Sequence, residues 1–336
     1  MKVSNEFLKH MGPEMRTATR KLCNLCLILN DIPGEWQEGV IYPIPKPTEW
    51  NCNLANTRPI TLLETLRKAF VKVITNRLTG IIAKRNILRE GNHAALPGGS
   101  TFAPLRIINA VLEDAVDSDK EIWFLFQDLS KAYDRVNLHM LEKAMKRIKI
   151  PEDCSNLLIN LFSSRKNRVI GHFGMTPSYD VLVGIDQGEI ISPLLWTIYY
   201  DPLLVEINDN PQFGYEMSHT WLPNVSLPES KTESVIVSSQ AYMDDTSWIS
   251  SSKEKLESTL SIADEFYTLN NIQVNKLKSV LLTTCNTYDN TSNSREVTLS
   301  FGQEQIVITP AARNESVRVL GVWISLSSRK KFHASI

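Results

Sequence analysis

Apolar and polar positions along this chain fall into short runs of helical and strand period. From Glu14 to Asn30 the residues read as a helix, stopped by Ile32-Pro33-Gly34. GVIYPIPKP then reads as a short strand entering a proline-rich turn, with Lys46 at its tip. A long amphipathic helix is expected from about Ile60 to Lys84. Leu63, Leu66, Phe70, Val73 and Ile74 form its apolar stripe; Arg67, Lys68, Lys72 and Arg77 lie off it, as a solvated face would. Another helix is expected from about Phe102 to Val116, capped by Ser100 or Thr101. The run EIWFLFQDLS is almost wholly apolar and ends at an acid, the pattern of a buried central strand that delivers a carboxylate. Helices are expected around Leu138 to Ile148 and Ser155 to Ser163, and a polar loop or insertion from Asn208 to Ser234. VIVSSQAYMDDTSWISS reads as two short strands joined at Met243-Asp244. A helix from Ser252 to Leu269 and a strand from Ser279 to Thr284 complete the core. Without regular β-α-β alternation, the expected class is α+β, a sheet with helices on one face.

Composition changes this picture little. A chain of 336 residues has room for two or three packed subdomains, and 43% hydrophobic residues is ordinary for a globular protein. No apolar stretch approaches the roughly 20 residues that cross a bilayer, so no membrane partner is expected. The first residues lack the apolar core of a secretory signal, and five cysteines fit a reducing, intracellular compartment, with the nucleus as a candidate. The sequons at Asn224, Asn290 and Asn314 then read as chance matches. Cys23 and Cys26 read as buried helix thiols, since no partner follows at zinc spacing. Gly98-Gly99-Ser100-Thr101 lacks the Gly-Lys of a phosphate loop and reads as a turn. With 36 basic and 37 acidic residues, net charge neither supports nor excludes a nucleic-acid partner, because a positive channel needs no positive total.

Acids arrive at the ends of apolar strands in two places, Asp128 and the pair Asp244-Asp245. Adjacent acids usually mark a solvated turn, but here both flanks are apolar or strand-forming. Hard divalent ions take oxygen ligands, and two-metal phosphoryl transfer needs acids gathered on rigid elements.

At these residues the chain resembles a known family. FQDLSKAYDRV (126–136) is similar to the first catalytic motif of reverse transcriptases from non-LTR retrotransposons and group II introns, and AYMDD (241–245) to their second. IPKP (44–47) and RPITLLETLRKAFVKVITNRL (58–78) resemble their fingers motifs. GIDQGEIISPLLW (184–196) resembles the motif usually written Gly-x-Pro-Gln-Gly-x-x-x-Ser-Pro. NNIQVNKLK (270–278) resembles the Asn-x-x-Lys motif, and VLGVWI (319–324) the Leu-Gly motif of the primer grip. Seven matches stand in the family order over nearly the whole chain. Asp186 departs from the pattern, standing where the family usually has proline, and Glu189 is a second unusual acid in the same motif.

The resemblance implies an RNA-directed DNA polymerase that extends a primer with dNTPs on an RNA or DNA template, using two Mg2+ ions, with Mn2+ as an alternative. Asp128, Asp244 and Asp245 would be the catalytic metal ligands, and Lys278 would protonate pyrophosphate, with Lys276 as its rival. Asp134 reads as a structural acid. Lys46, Arg58, Tyr133 and Gln187 would bind the dNTP, with the Tyr133 ring excluding a ribose 2′-hydroxyl. Arg165, Lys166 and Arg168 would touch template backbone or form a solvated loop; Tyr242, Met243 and Gly321 would lie along the nucleic acid. Ser192-Pro193 would open a helix, serine as its cap.

The implied fold is a right-hand polymerase: fingers and palm, with an antiparallel palm sheet backed by helices and most of the thumb missing. The expected division is a helical lead-in at 1–33, fingers at 34–99 and 138–183, palm at 100–137 and 184–316, and primer grip with the start of a truncated thumb at 317–336. The chain reads as a piece of a larger element protein or a shortened genomic copy. The competing readings are an inactive relic that binds nucleic acid and an RNA-templated RNA polymerase.

Overall fold

Four apolar residues in a row, Trp123 to Leu125 with Phe126, suit a strand covered on both faces, and the strand Trp123–Gln127 is interior to its sheet. The computed structural model describes residues 4–46, 53–89, 91–221, 231–285, 287, 296–326 and 333–334. Pro47, Asn224 and Asn290 lie outside the described residues, as do most of the last ten residues expected to start a thumb. The chain forms two compact units: residues 1–88 with 131–199, and residues 89–130 with 200–336.

In the second unit, the strands Ser239–Tyr242, Asp245–Ser250, Trp123–Gln127 and Val280–Thr283 lie in that order in an antiparallel sheet. Side chains alternate across it. Phe124, Ile249 and Leu282 pack with Ile108 and Val111 of the helix Phe102–Asp117 and with Val317, Val319 and Ile324. Thr246 points the other way, where its hydroxyl meets Tyr200 Oη at 3.1 Å, and Tyr200 meets Tyr267 of the helix Lys253–Asn270 at 2.6 Å. Helices therefore cover both faces, not one. The unbroken apolar run at 123–126 requires this, since either face left wet would expose large side chains. The polar segment 208–234 contains a hairpin, Tyr215–Trp221 against Lys231–Val237, rather than a loop throughout. Its polarity hid the strands: among the described residues of the hairpin, Tyr215, Met217 and Val237 meet the core cluster, while Val235 and Ile236 face out.

In the first unit, Thr57–Leu62 pairs antiparallel with Glu38–Pro45, which pairs in parallel with Arg165–Gly171. The helix expected from Ile60 starts only at Thr65, because 57–62 is a strand; Glu64 caps it by accepting from Arg67 N at 2.8 Å. Its buried face includes Arg67, Phe70, Val71 and Ile74, spaced i, i+3, i+4, i+7. Arg67 thus sits inside the apolar stripe and is fully buried, while Val73, assigned to that stripe, is exposed. The basic cluster Arg165, Lys166 and Arg168 is strand and not loop; Lys166 and Arg168 are exposed but Arg165 is buried.

Candidate active site

The acids of the second unit are gathered by strand pairing. The hairpin 239–250 closes with Tyr242 opposite Asp245, leaving Met243 and Asp244 as its two turn residues. Met243 has φ +57°, a left-handed conformation that a tight hairpin turn demands and an unbranched side chain tolerates at modest cost. Thr246 lies opposite Gln127 in the neighbouring strand, so Asp245 and Asp128 each sit one residue beyond that pair, at the same end of the sheet.

Asp128 is held by a segment 147 positions later in the chain. Val274 pairs with Leu129, and Asn275 then donates its backbone N–H to Asp128 O at 2.8 Å and its side-chain amide to Asp128 Oδ2 at 3.2 Å. Lys278 Nζ reaches the same oxygen at 3.2 Å. Lys276 is engaged elsewhere, with Glu304, so Lys278 is the lysine at the acids. Asn275 was the residue sequence reading passed over; its place at the head of Asn-x-x-Lys was the available signal.

Burial and neighbouring charge raise both acids of the hairpin. Burial, with the charges of Asp244 and Asp128, pushes Asp245 up to about 6, against the pull of Lys278. Burial also raises Asp244, with Asp128 adding to it, while backbone hydrogen bonding and Lys278 oppose the rise. Three carboxylates that repel one another and present only oxygen fit a hard divalent cation, which would relieve that repulsion. Among the described residues, no three or more His, Cys, Asp or Glu side chains are gathered closely enough to hold a metal ion. A cleft of about 490 Å³ opens on Asp128, Asp245 and Lys278, and Tyr242, Arg318 and Gly321 also line it. Leu320 and Gly321 both have positive φ, +48° and +86°, as the two turn residues between the strands Val317–Val319 and Val322–Ile324.

In the first unit, backbone hydrogen bonds hold the segments that carry Tyr133 and Gln187, two of the residues expected at the nucleotide. Ile185 N donates to Tyr133 O at 2.9 Å, Gly184 N to Val136 O at 2.9 Å, and Thr61 N to Gln187 O at 2.6 Å. Arg58 is exposed on the strand that carries Thr61, opposite Ile44, and Lys46 N donates to Asn56 O at 2.8 Å. The Tyr133 ring meets Trp196 edge to face, centroids 6.0 Å apart.

The two acids that depart from the motif have partners. Asp186 Oδ1 accepts from Arg165 Nη1 at 2.7 Å, and Glu189 Oε2 from Arg67 Nε at 2.7 Å. Asp186 Oδ2 lies 3.7 Å from Arg67 Nη2. Arg165, expected at the template, is therefore committed to an internal ion pair. Ser192 Oγ donates to Asp186 O at 2.8 Å, so this serine ties down the loop before the helix instead of capping it.

A family model described as reverse transcriptase (RNA-dependent DNA polymerase) matches residues 44–324, which span every motif discussed above. The chain belongs to the reverse transcriptase family. Among curated relatives, a probable RNA-directed DNA polymerase from transposon X-element of Drosophila melanogaster is 30% identical over 198 residues, 59% of this chain and 22% of that protein. The RNA-directed DNA polymerase from mobile element jockey of the same organism is 26% identical, over 71% of this chain and 25% of its own length. This reverse transcriptase chain thus spans about a quarter of the length of these relatives. Its polymerase fold is shared by solved telomerases of Candida tropicalis. One, in complex with a fragment of telomeric RNA, has a TM-score of 0.55 at 13% identity, covering 90% of this chain and 45% of that one. Another, an apo form truncated from its C-terminal domain, has a TM-score of 0.51 at 13% identity, covering 86% of this chain and 60% of that chain.

Proposed function

We propose that this chain is the polymerase core of a retrotransposon-encoded RNA-directed DNA polymerase, which adds dNTPs to a primer paired with an RNA or DNA template. The observation that carries the reading is the convergence of Asp128, Asp244-Asp245, Asn275 and Lys278 at one end of a rigid antiparallel sheet. Asp128, Asp244 and Asp245 would hold two Mg2+ ions, which supply activation of the primer 3′-hydroxyl and neutralisation of the leaving pyrophosphate. Asn275 orients Asp128 by occupying one lone pair of its carboxylate. Lys278, which lies against Asp128, would pass a proton from Nζ to the departing pyrophosphate, leaving Asp128 as it does so. Arg58 and Lys46 carry the positive charge that steadies a triphosphate. Tyr133 stands for discrimination against a ribose 2′-hydroxyl, and Gln187 for a contact near the sugar. Lys166 and Arg168 remain free to meet template phosphates, which give salt-dependent affinity without sequence preference.

The test is incorporation of labelled dTTP on poly(rA)–oligo(dT) with Mg2+. Template-dependent, primer-dependent addition supports the reading. Duplex binding without any addition identifies an inactive relic, and preference for UTP over dTTP identifies an RNA polymerase.

A further inference from the structure

Two arginines and two acids with side chains no more than 3% exposed form one buried, charge-balanced group in the first unit: Arg67, Arg165, Asp186 and Glu189. Burying four charges costs several kcal/mol per ion unless each is paired and hydrogen-bonded, so such a group needs a reason to exist. Every nitrogen of the two guanidinium groups is engaged, whereas Asp186 Oδ2 is buried without a hydrogen-bond partner. Arg165 donates to the carbonyls of Phe162 (2.9 Å), Val183 (2.8 Å) and Gly184 (2.6 Å). Arg67 donates to those of Trp36 and Leu161. The Phe162 ring lies under both guanidinium groups, 5.9 and 5.5 Å from their carbons. What this group encloses is the backbone on both sides of Gln187. Asp186 and Glu189 flank the Gln187-Gly188 pair in sequence, and Gln187 O is bonded to Thr61 N.

We propose that Arg67 and Arg165 are positioning residues for the deoxynucleoside triphosphate: with Asp186 and Glu189 they clamp the 184–189 loop and so fix Gln187. The Asp186–Arg165 pair does by charge what proline does at that position in the family motif, where a locked φ restrains the residue before glutamine. The inference rests on the polymerase reading for its ligand, but the clamp itself is a local property of the loop. Neither arginine touches the nucleotide; each acts through the loop.

Asp186→Asn removes the charge and keeps the volume. Its effect should fall on KM for dTTP, raised about tenfold (~1.4 kcal/mol), with kcat and duplex Kd near wild type and a lowered melting temperature, because Arg165 loses its buried counter-charge. Amide exchange should quicken at 184–189 and stay unchanged in the 123–127 and 245–250 strands. In Arg165→Met the same loop should loosen further, because Asp186 is left buried and unpaired. Adding Asp186→Pro to Arg165→Met should restore slow exchange and draw KM back toward wild type, since removing both charges is tolerated where removing one is not. Should Arg165→Met fail to fold, Asp186→Asn and the double variant still decide. An active wild type whose Asp186→Asn variant keeps both its KM and its loop exchange overturns the clamp alone. Parallel loss of kcat, KM and melting temperature with no rescue by proline makes the group merely structural, and also overturns it. A wild type that adds no nucleotide sinks the polymerase reading and the nucleotide role with it, while loop exchange still reports whether the clamp exists.

Discussion

Asn275 and Tyr133 show what single side chains contribute. Two hydrogen bonds from Asn275 aim Asp128, yet Asn275 would ligate nothing itself. Asn275→Ala removes the side-chain bond and keeps the backbone one. Primer extension should fall by about tenfold to a hundredfold, the usual cost of losing a group that orients a metal ligand, and part of the loss should return at raised Mg2+. Wild-type activity at low Mg2+ in that variant would show that Asp128 needs no such support. For Tyr133, trimming to Ala or Val should lower the dTTP-to-UTP ratio of kcat/KM, because the ring's role is a penalty against the wrong sugar. Single-nucleotide addition is the proper readout, and an unchanged ratio would leave the ring as packing against Trp196. At this scale the acids were plain in the sequence, since Asp128 ends an apolar run and Asp244-Asp245 sits between two. The roles of Asn275, Arg67 and Arg165 were not. Each is set by a partner outside its own element: Glu189 lies 122 positions from Arg67, Asp128 147 from Asn275, and Asp186 21 from Arg165.

Elements were legible where their period was strong and their ends were punctuated. The helix expected from Ser252 to Leu269 is found at Lys253–Asn270, capped by Ser252 Oγ, and the acid-bearing hairpin turns at Met243-Asp244, as its pattern implies. The expected start at Ile60 fails for a physical reason. RPITL is β-prone and finds an edge to pair with in 38–45, and tertiary pairing outweighs a helical stripe that can be drawn one residue out of phase. Pairing also explains Gly188. Its φ is +117°, and a Cβ there would lie 2.7 Å from Thr61 O. Gly188→Ala should therefore push the loop off the 57–62 strand and lower stability by ~1–3 kcal/mol, measured by chemical denaturation. A variant as stable as wild type would mean the loop closes without that approach.

At the scale of the molecule, the sequence motifs divide between two compact units. The acids with Asn275 and Lys278 belong to one, and Lys46, Arg58, Tyr133 and Gln187 to the other. An α+β polymerase fold was legible because the motifs stand in family order, and the apolar run at 123–126 called for cover on both faces of the sheet; which helices supply that cover was not legible, because helix placement depends on chain crossings that local pattern does not encode. Asp128 and Asp244 are proposed to perform chemistry and not merely to hold the fold. The most direct measurement pairs dTTP incorporation on poly(rA)–oligo(dT) with duplex Kd and melting temperature for wild type, Asp128→Asn and Asp244→Asn. The account predicts incorporation by wild type, its abolition in both variants, and Kd and melting temperature close to wild type, because binding rests on many phosphate contacts and not on the metal ligands. Incorporation retained in either variant, or binding lost in step with synthesis, would contradict it.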